Sequence, residues 1–325
     1  MDNIDNATIL VRNYNGKDLL EGLLADLSRV VKNRGNQDEV LVVDDGSTDG
    51  SAGFVKKHFP AVRLKALAEN TGNSIIPVNI GVQYAQNNIV ICLDSDVRVN
   101  SDFITPMLKH FRDNNVFAVC PTIINPNHGN TVESVNYPVF RKGRIIGKAP
   151  GMTTPHLLPR KPSFVWYAPG NAAAYRRDRF QALDGLDPLY RPFYYEDMDV
   201  CQRAWRRGWS TIFEPEATTY HLRHVTTQKL SKDKMQFEIY RTKNQLLFAW
   251  KNLLDKKLLS LHLIWIFLHL ANSIYKNDLV FRSALRSAIL QLREALMARR
   301  KEIRAMKLTD KEIFKKLNSN EQQQQ

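Results

Sequence analysis

Short apolar runs alternate with amphipathic stretches through the first third of the chain. Residues 8–11, 39–43 (past Glu39) and 89–93 are apolar or β-branched runs, 62–66 reads as a further short strand, and the stretches at about 17–32, 50–58 and 76–86 carry apolar residues at helical spacing. Runs this short and this rich in β-branched residues suit strands covered on both faces. The pattern therefore predicts an α/β fold with a mostly parallel central sheet between layers of helices, occupying residues 5–125.

The rhythm weakens from about 125 to 165, where Asn125-Pro126-Asn127-His128-Gly129-Asn130 marks a turn. Between Pro138 and Ser163 stand six Lys or Arg and no acid. Two readings are open there, a solvated connection or a basic lip over an anionic substrate. From 163 to 227 aromatic residues, glycines and charges cluster, as they do where a site is built on loops. Beyond Asp233 the chain is rich in helix formers and poor in Gly and Pro, which predicts helices to its end. The most apolar stretch, 258–270, has 13 residues including His262 and His269, short of the ~20 that a membrane span requires. It reads either as a helix buried against the rest of the protein or as an in-plane membrane contact flanked by basic helices. Residues 319–325, ending in four glutamines, are expected to be disordered.

Composition narrows the class. The chain has 325 residues, 43% hydrophobic and 24% charged, with only 15 Gly and 14 Pro, which excludes collagen, low-complexity disorder and a polytopic membrane protein. Lys and Arg number 46 against 33 Asp and Glu, a net charge of +13 that suits an anionic partner. Residues 276–318 hold twelve basic and five acidic side chains, so more than half of that excess lies in the tail. Three widely spaced cysteines, Cys92, Cys120 and Cys201, support neither a disulfide framework nor a Cys-based zinc site. A reducing cytosol is the compartment this implies, and the acidic, polar N-terminus lacks the pattern of a secretory signal.

Four segments carry chemistry. Val42-Val43-Asp44-Asp45-Gly46-Ser47 puts two carboxylates at the carboxyl end of a buried strand, the edge where ligands of open α/β sheets bind, although such residues also cap helices. Leu93-Asp94-Ser95-Asp96 repeats the arrangement on another strand. Residues two apart share a side there, so Asp94 and Asp96 can converge on a hard cation such as Mg²⁺ or Mn²⁺. Tyr195-Glu196-Asp197-Met198-Asp199 sets three acids among aromatics at the start of a helix, either as favourable N-terminal charge or as a site for a general base. His221 and His224 follow a predicted strand, a spacing that without other ligands is weak evidence for zinc.

The order of these segments resembles glycosyltransferase family 2, nucleotide-sugar-dependent enzymes of the GT-A fold, in particular the branch containing rhamnosyltransferases of bacterial surface polysaccharides. The likeness spans about 8–252 and includes Tyr14-Asn15, Asn70-Thr71-Gly72-Asn73, Asn79-Ile80-Gly81, Gly170, Tyr175-Arg176-Arg177 and Leu183-Asp184-Gly185-Leu186-Asp187. Arg241 to Asn244 before Leu246-Leu247-Phe248 also matches. Two departures lie where the nucleotide should bind: Arg12-Asn13 stands for the usual Pro-Thr, and the Asn-x-Gly segment is one residue longer.

The resemblance implies a GT-A domain over 5–252, with a nucleotide-binding half to 125 and an acceptor and catalytic half from 126, then a basic helical extension over 253–318. It implies that Asp45, with Asp44, bonds the base, and that Asn15, Asn70, Gly72 and Asp94 help to hold the donor. Asp96 and Asp94 would hold Mg²⁺ or Mn²⁺ on the diphosphate, His221 would add a further contact, Asp197 would be the base and Glu196 its neighbour. The expected reaction is inverting transfer from a dTDP- or UDP-sugar to a hydroxyl of a glycan or lipid-linked acceptor. The expected location is the cytoplasm, on the inner face of an anionic membrane reached through the C-terminal helices. Two rivals are a catalytically silent nucleotide-sugar-binding or scaffold protein and a sugar-phosphate nucleotidyltransferase. The latter calls for a Gly-rich loop where residues 13–17 offer one Gly. No nucleic-acid partner is expected, since no nucleic-acid-binding motif accompanies the charge.

Overall fold

A computed structural model describes residues 4–35, 37–149, 158–222 and 234–324, without the side chains of 320–324. The first half follows the alternation of the sequence: β1 (Ala7–Asn13), α1 (Lys17–Arg34), β2 (Glu39–Asp44), α2 (Ser51–His58), β3 (Arg63–Ala66), α3 (Ile75–Tyr84) and β4 (Ile89–Asp94). After these come β5 (Val97–Val99), α4 (Ile104–Leu108), β6 (Val116–Asn125), β7 (Thr131–Val132), β8 (Tyr137–Arg141) and β9 (Arg144–Lys148). Next are β10 (Ser163–Phe164), β11 (Ala172–Arg176), α5 (Arg177–Ala182), α6 (Glu196–Arg206) and β12 (Ser210–His221). Five helices end the chain: α7 (Lys234–Asn252), α8 (Lys256–Tyr275), α9 (Leu279–Leu290), α10 (Leu292–Ala305) and α11 (Asp310–Gln324).

The main sheet runs β10-β12-β6-β11-β4-β1-β2-β3. It is parallel from β3 through β4 and again between β6 and β12. Strand β11 enters antiparallel to both β4 and β6. The order reverses at β1, which lies between β2 and β4, and the carboxyl ends at such a reversal form a crevice. Register aligns Asn13 with Asp44 and Arg12 with Asp94 at that edge.

Both faces of the sheet are covered, as the unbroken apolar runs require. Ile9, Val11, Val42 and Ile91 pack with Leu20, Leu23, Leu24 and Leu27 of α1 on one face. Leu10, Leu41, Val43 and Cys92 pack on the other with α3, α6 and α7. Helix α3 lies so close to β1 that a Cβ on Gly81 would come within 2.3 Å of Leu10 Cδ1, which accounts for glycine there. All three cysteines are buried and free.

Helices α9, α10 and α11 join the larger core through Phe281, Leu285, Ala288, Ala295, Ile313 and Leu317. Helix α8 packs on that core by one side, through the partly buried Leu258, Leu259, Trp265, Ile266 and Leu270, and of its 20 residues only His262 and Ser273 are fully buried. The reading of 258–270 as a helix buried against the protein holds for one side of it, while Leu261, Leu263, Ile264, Phe267 and Leu268 are exposed. Neighbouring apolar residues extend the stretch to a helix long and apolar enough to cross a membrane, with a mean hydropathy of 1.5. One edge of α8 rests on the β8–β9 hairpin, where His262 Nδ1 lies 2.7 Å from the Gly143 carbonyl. Residues 138–148, one half of the basic stretch, are thus an ordered hairpin; residues 150–157 lie outside the described residues. Helix α11 runs to Gln324, through the segment expected to be disordered.

Candidate functional site

The turn after β2 is closed by its own side chains. Asp44 Oδ1 accepts from Asn13 Nδ2 at 2.7 Å and from Ser47 Oγ at 2.6 Å. Gly46, at φ +67°, lets the turn lie against the next loop, where a Cβ would come within 2.4 Å of the Glu69 carbonyl carbon. Asn15 is fixed to the same turn, its amide donating to Ser47 Oγ at 2.8 Å and its Oδ1 accepting from Thr48 N at 2.8 Å. Asp45 faces the other loop and accepts from Asn70 Nδ2, Thr71 N and Thr71 Oγ1, each at 3.0 Å. Burial pushes its pKa up against those hydrogen bonds. Gly72 donates its N–H to Asn70 Oδ1 at 2.8 Å. The expected nucleotide residues thus form one wall across two loops, with Asp44 spent on holding the turn.

At the end of β4, Asp94 Oδ1 accepts from Arg12 Nη2 at 2.6 Å, and Arg12 Nη1 donates to the Ser74 carbonyl at 3.0 Å. Asp96 turns elsewhere. Strand β12 pairs with β5 so that His221 lies opposite Val97, which sets His221 Nε2 3.6 Å from Asp96 Oδ2. The sequence motif alone does not bring this histidine to that carboxylate, whereas the strand pairing does. His221 Nδ1 lies 3.1 Å from Glu133 Oε2 and 2.8 Å from Asn171 Nδ2. Burial opposes the charge on His221, but the neighbouring carboxylates of Asp96 and Glu133 outweigh it and raise its pKa to about 9. His224 lies outside the described residues.

A carboxylate oxygen and an imidazole nitrogen at this separation suit a divalent cation, since two ligands at right angles on ~2.1 Å bonds stand roughly 3 Å apart. Two protein ligands leave positions for the oxygens of a diphosphate. No group of three or more His, Cys, Asp or Glu ready to hold a metal occurs among the described residues.

Helix α6 supplies the third cluster. Tyr194 (φ 70°) and Tyr195 (φ 79°), just before it, are both left-handed, a conformation that costs about 1–3 kcal/mol at each non-glycine residue. Asn244 holds them in place: its Nδ2 lies 2.6 Å from the Tyr190 carbonyl, 2.8 Å from that of Phe193 and 3.1 Å from that of Tyr194. Glu196 Oε1 accepts from Ser74 Oγ at 2.6 Å, and its buried Oε2 has no hydrogen-bond partner among the described residues. Burial, followed by the charge of Asp197, pushes the Glu196 carboxyl up to about 7. Asp197 is also shifted upward by burial, but Met198 N at 2.7 Å and Gly170 N at 3.1 Å donate to it and favour its ionised form. Asp199 belongs to the scaffold. Arg203 Nε at 2.6 Å and Lys251 Nζ at 2.8 Å bind it in the core, and their charges outweigh burial to hold its carboxyl far below the usual range.

Two consecutive residues tie the clusters together. Gly170 donates its N–H to Asp197, and the Asn171 carbonyl accepts from Asp94 N at 3.1 Å while the Asn171 amide reaches His221. Arg12 lies within electrostatic reach of Asp94, Asp96, Glu196 and Asp197. Sequence reading assigned no role to Arg12, Ser74, Glu133 or Asn171. Arg12 carried a signal, as a charged residue where the family resemblance expects proline at a strand end; Glu133 carried none.

Comparison with known proteins bears on this geometry. A model of the family described as Glycosyl transferase family 2 matches residues 8–183. The chain is 28% identical over 191 residues to a pre-mycofactocin glycosyltransferase of Mycobacterium tuberculosis, a match covering 56% of this chain and 37% of that protein. It is 26% identical over 223 residues to the N-acetylglucosaminyl-diphospho-decaprenol L-rhamnosyltransferase of the same organism, covering 62% of this chain and 71% of that one. The solved structure of the mannosyltransferase PcManGT from Pyrobaculum calidifontis, in complex with GDP-Man and Mn²⁺, shares the fold at TM-score 0.52 and 18% identity, covering 92% and 85% of the two chains. The fold is GT-A, and with the family model matching more than half of its residues the chain belongs to glycosyltransferase family 2.

Proposed function

We propose that this glycosyltransferase moves a sugar, with inversion, from a nucleoside-diphosphate donor to a hydroxyl of a glycan or lipid-linked acceptor. The observation that carries this reading is the link through Gly170 and Asn171, which joins Asp197, Asp94 and His221 in one site. Asp45, Asn15, Asn70 and Gly72, with Asp44 supporting the turn, line the wall for the base and ribose. Asp96 and His221, with Asp94 beside them, would hold Mg²⁺ or Mn²⁺, which neutralises charge on the departing diphosphate.

The chain's own groups account for the rest. An acceptor hydroxyl is a poor nucleophile until a carboxylate takes its proton during attack, and Asp197 is the base for that step. The acceptor oxygen bonds to the anomeric carbon from the face opposite the diphosphate. The old C–O bond breaks, and its electron pair leaves with the nucleoside diphosphate. Arg12 adds a fixed positive charge beside the carboxylates. Glu196, whose carboxyl burial and the Asp197 charge push upward, is held toward its neutral form, which reduces repulsion beside the base.

The test is turnover of a panel of dTDP-, UDP- and GDP-sugars with and without Mn²⁺, on wild type and Asp197→Asn. Metal-dependent consumption of one donor that the variant loses, with donor binding retained, is the expected result. Equal consumption by the variant would remove Asp197 as the base.

We also propose that the enzyme works in the cytoplasm, peripherally bound to an anionic membrane where a lipid-linked acceptor resides. Helix α8 presents Ile264, Phe267, Leu268 and Ile274 on one exposed face, Phe267 being 72% exposed. Exposed Lys256, Lys257 and Lys276 flank it, and exposed Arg141 and Lys142 stand on the hairpin at its edge. A surface both apolar and cationic complements an anionic bilayer; a second copy would bring like charges together.

A further inference from the structure

The cation ligand His221 has a second partner whose position is built with as much care as its own. Glu133 follows the short strand β7, and its backbone N–H donates to the Ile123 carbonyl at 3.0 Å, which fixes the residue to β6. Its side chain is 9% exposed. One oxygen, Oε1, accepts from Asn125 Nδ2 at 3.2 Å, and the other, Oε2, lies 3.1 Å from His221 Nδ1 and 3.4 Å from Asn171 Nδ2. Asn125 is itself buried at the end of β6. An anion this enclosed is expensive unless it is paired, and the imidazole of His221 is one of its partners.

The two ring nitrogens therefore face different chemistry. Nδ1 meets the Glu133 carboxylate, which only accepts, at 3.1 Å and the Asn171 side-chain amide at 2.8 Å. That amide's buried Oδ1 has no partner among the described residues and would accept from an Nδ1 proton if it faced the ring. Nε2 points at Asp96 across 3.6 Å. A histidine that donates from one nitrogen to a carboxylate has its tautomer and ring plane fixed, and its other nitrogen becomes a better metal ligand.

We propose that Glu133 is a positioning residue that holds His221 with Nε2 free to ligate the divalent cation beside Asp96. Glu133 touches neither donor nor acceptor and acts through the imidazole. Asn171 steadies the same pair and carries the alignment on to Asp94 through its carbonyl. The inference rests on the metal-assisted reading of the site.

The experiment is titration of the full chain with Mn²⁺ alone, with free Mn²⁺ read by electron paramagnetic resonance, for wild type, Glu133→Gln, Glu133→Ala and His221→Ala. Glu133→Ala should weaken Mn²⁺ binding by about ten- to a hundredfold, as loss of an outer partner does. Glu133→Gln, which still accepts at one oxygen, should fall between it and wild type. Thermal melting of each variant identifies unfolding, and the isosteric Gln form is read if Ala melts early. Mn²⁺ affinity unchanged in both Glu133 variants, while His221→Ala weakens it, would overturn the role of Glu133 alone. A wild type that takes up no Mn²⁺ would overturn the metal reading and this inference with it.

Discussion

Arg12 Nη2 and Asp94 Oδ1 lie 2.6 Å apart, so the first carboxylate of the Asp-Ser-Asp segment carries its own counter-charge. Parallel pairing of β1 with β4 sets the two residues side by side, and Arg12 also reaches the Ser74 carbonyl, whose own hydroxyl donates to Glu196. A single guanidinium thus links the end of β4 to the residue before α3 that touches Glu196 at the start of α6. Arg12 stands where the family resemblance expects proline, and it adds a positive charge beside Asp94.

Removing one member of such a pair leaves the other charge uncompensated in a partly enclosed site. Arg12→Gln should lower stability by about 1–3 kcal/mol and raise the donor KM more than it lowers kcat. Asp94→Asn should behave similarly. The double variant should lose less than the sum of the two, because the ion pair is counted once. Additive losses in chemical denaturation would mean that the contact contributes no coupling.

Glu196 gives a pH signature. Its folded pKa is about 7 against an ordinary value of 4.5, so the native state holds a proton that the unfolded chain releases. The stabilisation from that proton is fully present below about pH 4.5 and is lost as pH rises through about 7. Glu196→Gln is neutral at every pH. Its melting temperature relative to wild type should therefore climb between pH 5 and pH 8, by a few degrees for a shift worth on the order of 1–3 kcal/mol. Parallel melting profiles for the two proteins across that range would show that the carboxyl is not held protonated.

Much of the scaffold was legible because its signals are local. The apolar runs of residues 8–11, 39–43 and 89–93 became β1, β2 and β4, and the intervening helices begin and end within about two residues of expectation. Strand β11 was not legible. Its Ala172-Ala173-Ala174 carries no β-branched residue, and its place is set by pairing with β4 and β6, where small side chains fit between two covered strands. The acidic motifs announced themselves by chemistry, but Glu133 pairs with a histidine 88 positions away, a relation that no local spacing encodes. Hydropathy marked 258–270 as apolar without saying what would cover it, and α8 lies open on one side.

That open side yields the last prediction. Ile264, Phe267 and Leu268 are 55%, 72% and 60% exposed, and none packs in either core cluster. Replacing Phe267 and Leu268 with Glu should leave the melting temperature within about a degree of wild type, since exposed changes cost little. On the bilayer reading the same pair loses apolar contact and gains repulsion from anionic headgroups. Flotation with vesicles rich in phosphatidylglycerol should then carry wild type upward and leave the double variant at the bottom, while neutral vesicles float neither well. Replacing Lys256 and Lys257 with Gln should weaken flotation less, by about 1 kcal/mol per charge, and raised salt should reproduce that effect. Wild type that ignores vesicle charge, or a double variant that floats as before, would assign the exposed face to something other than an anionic membrane.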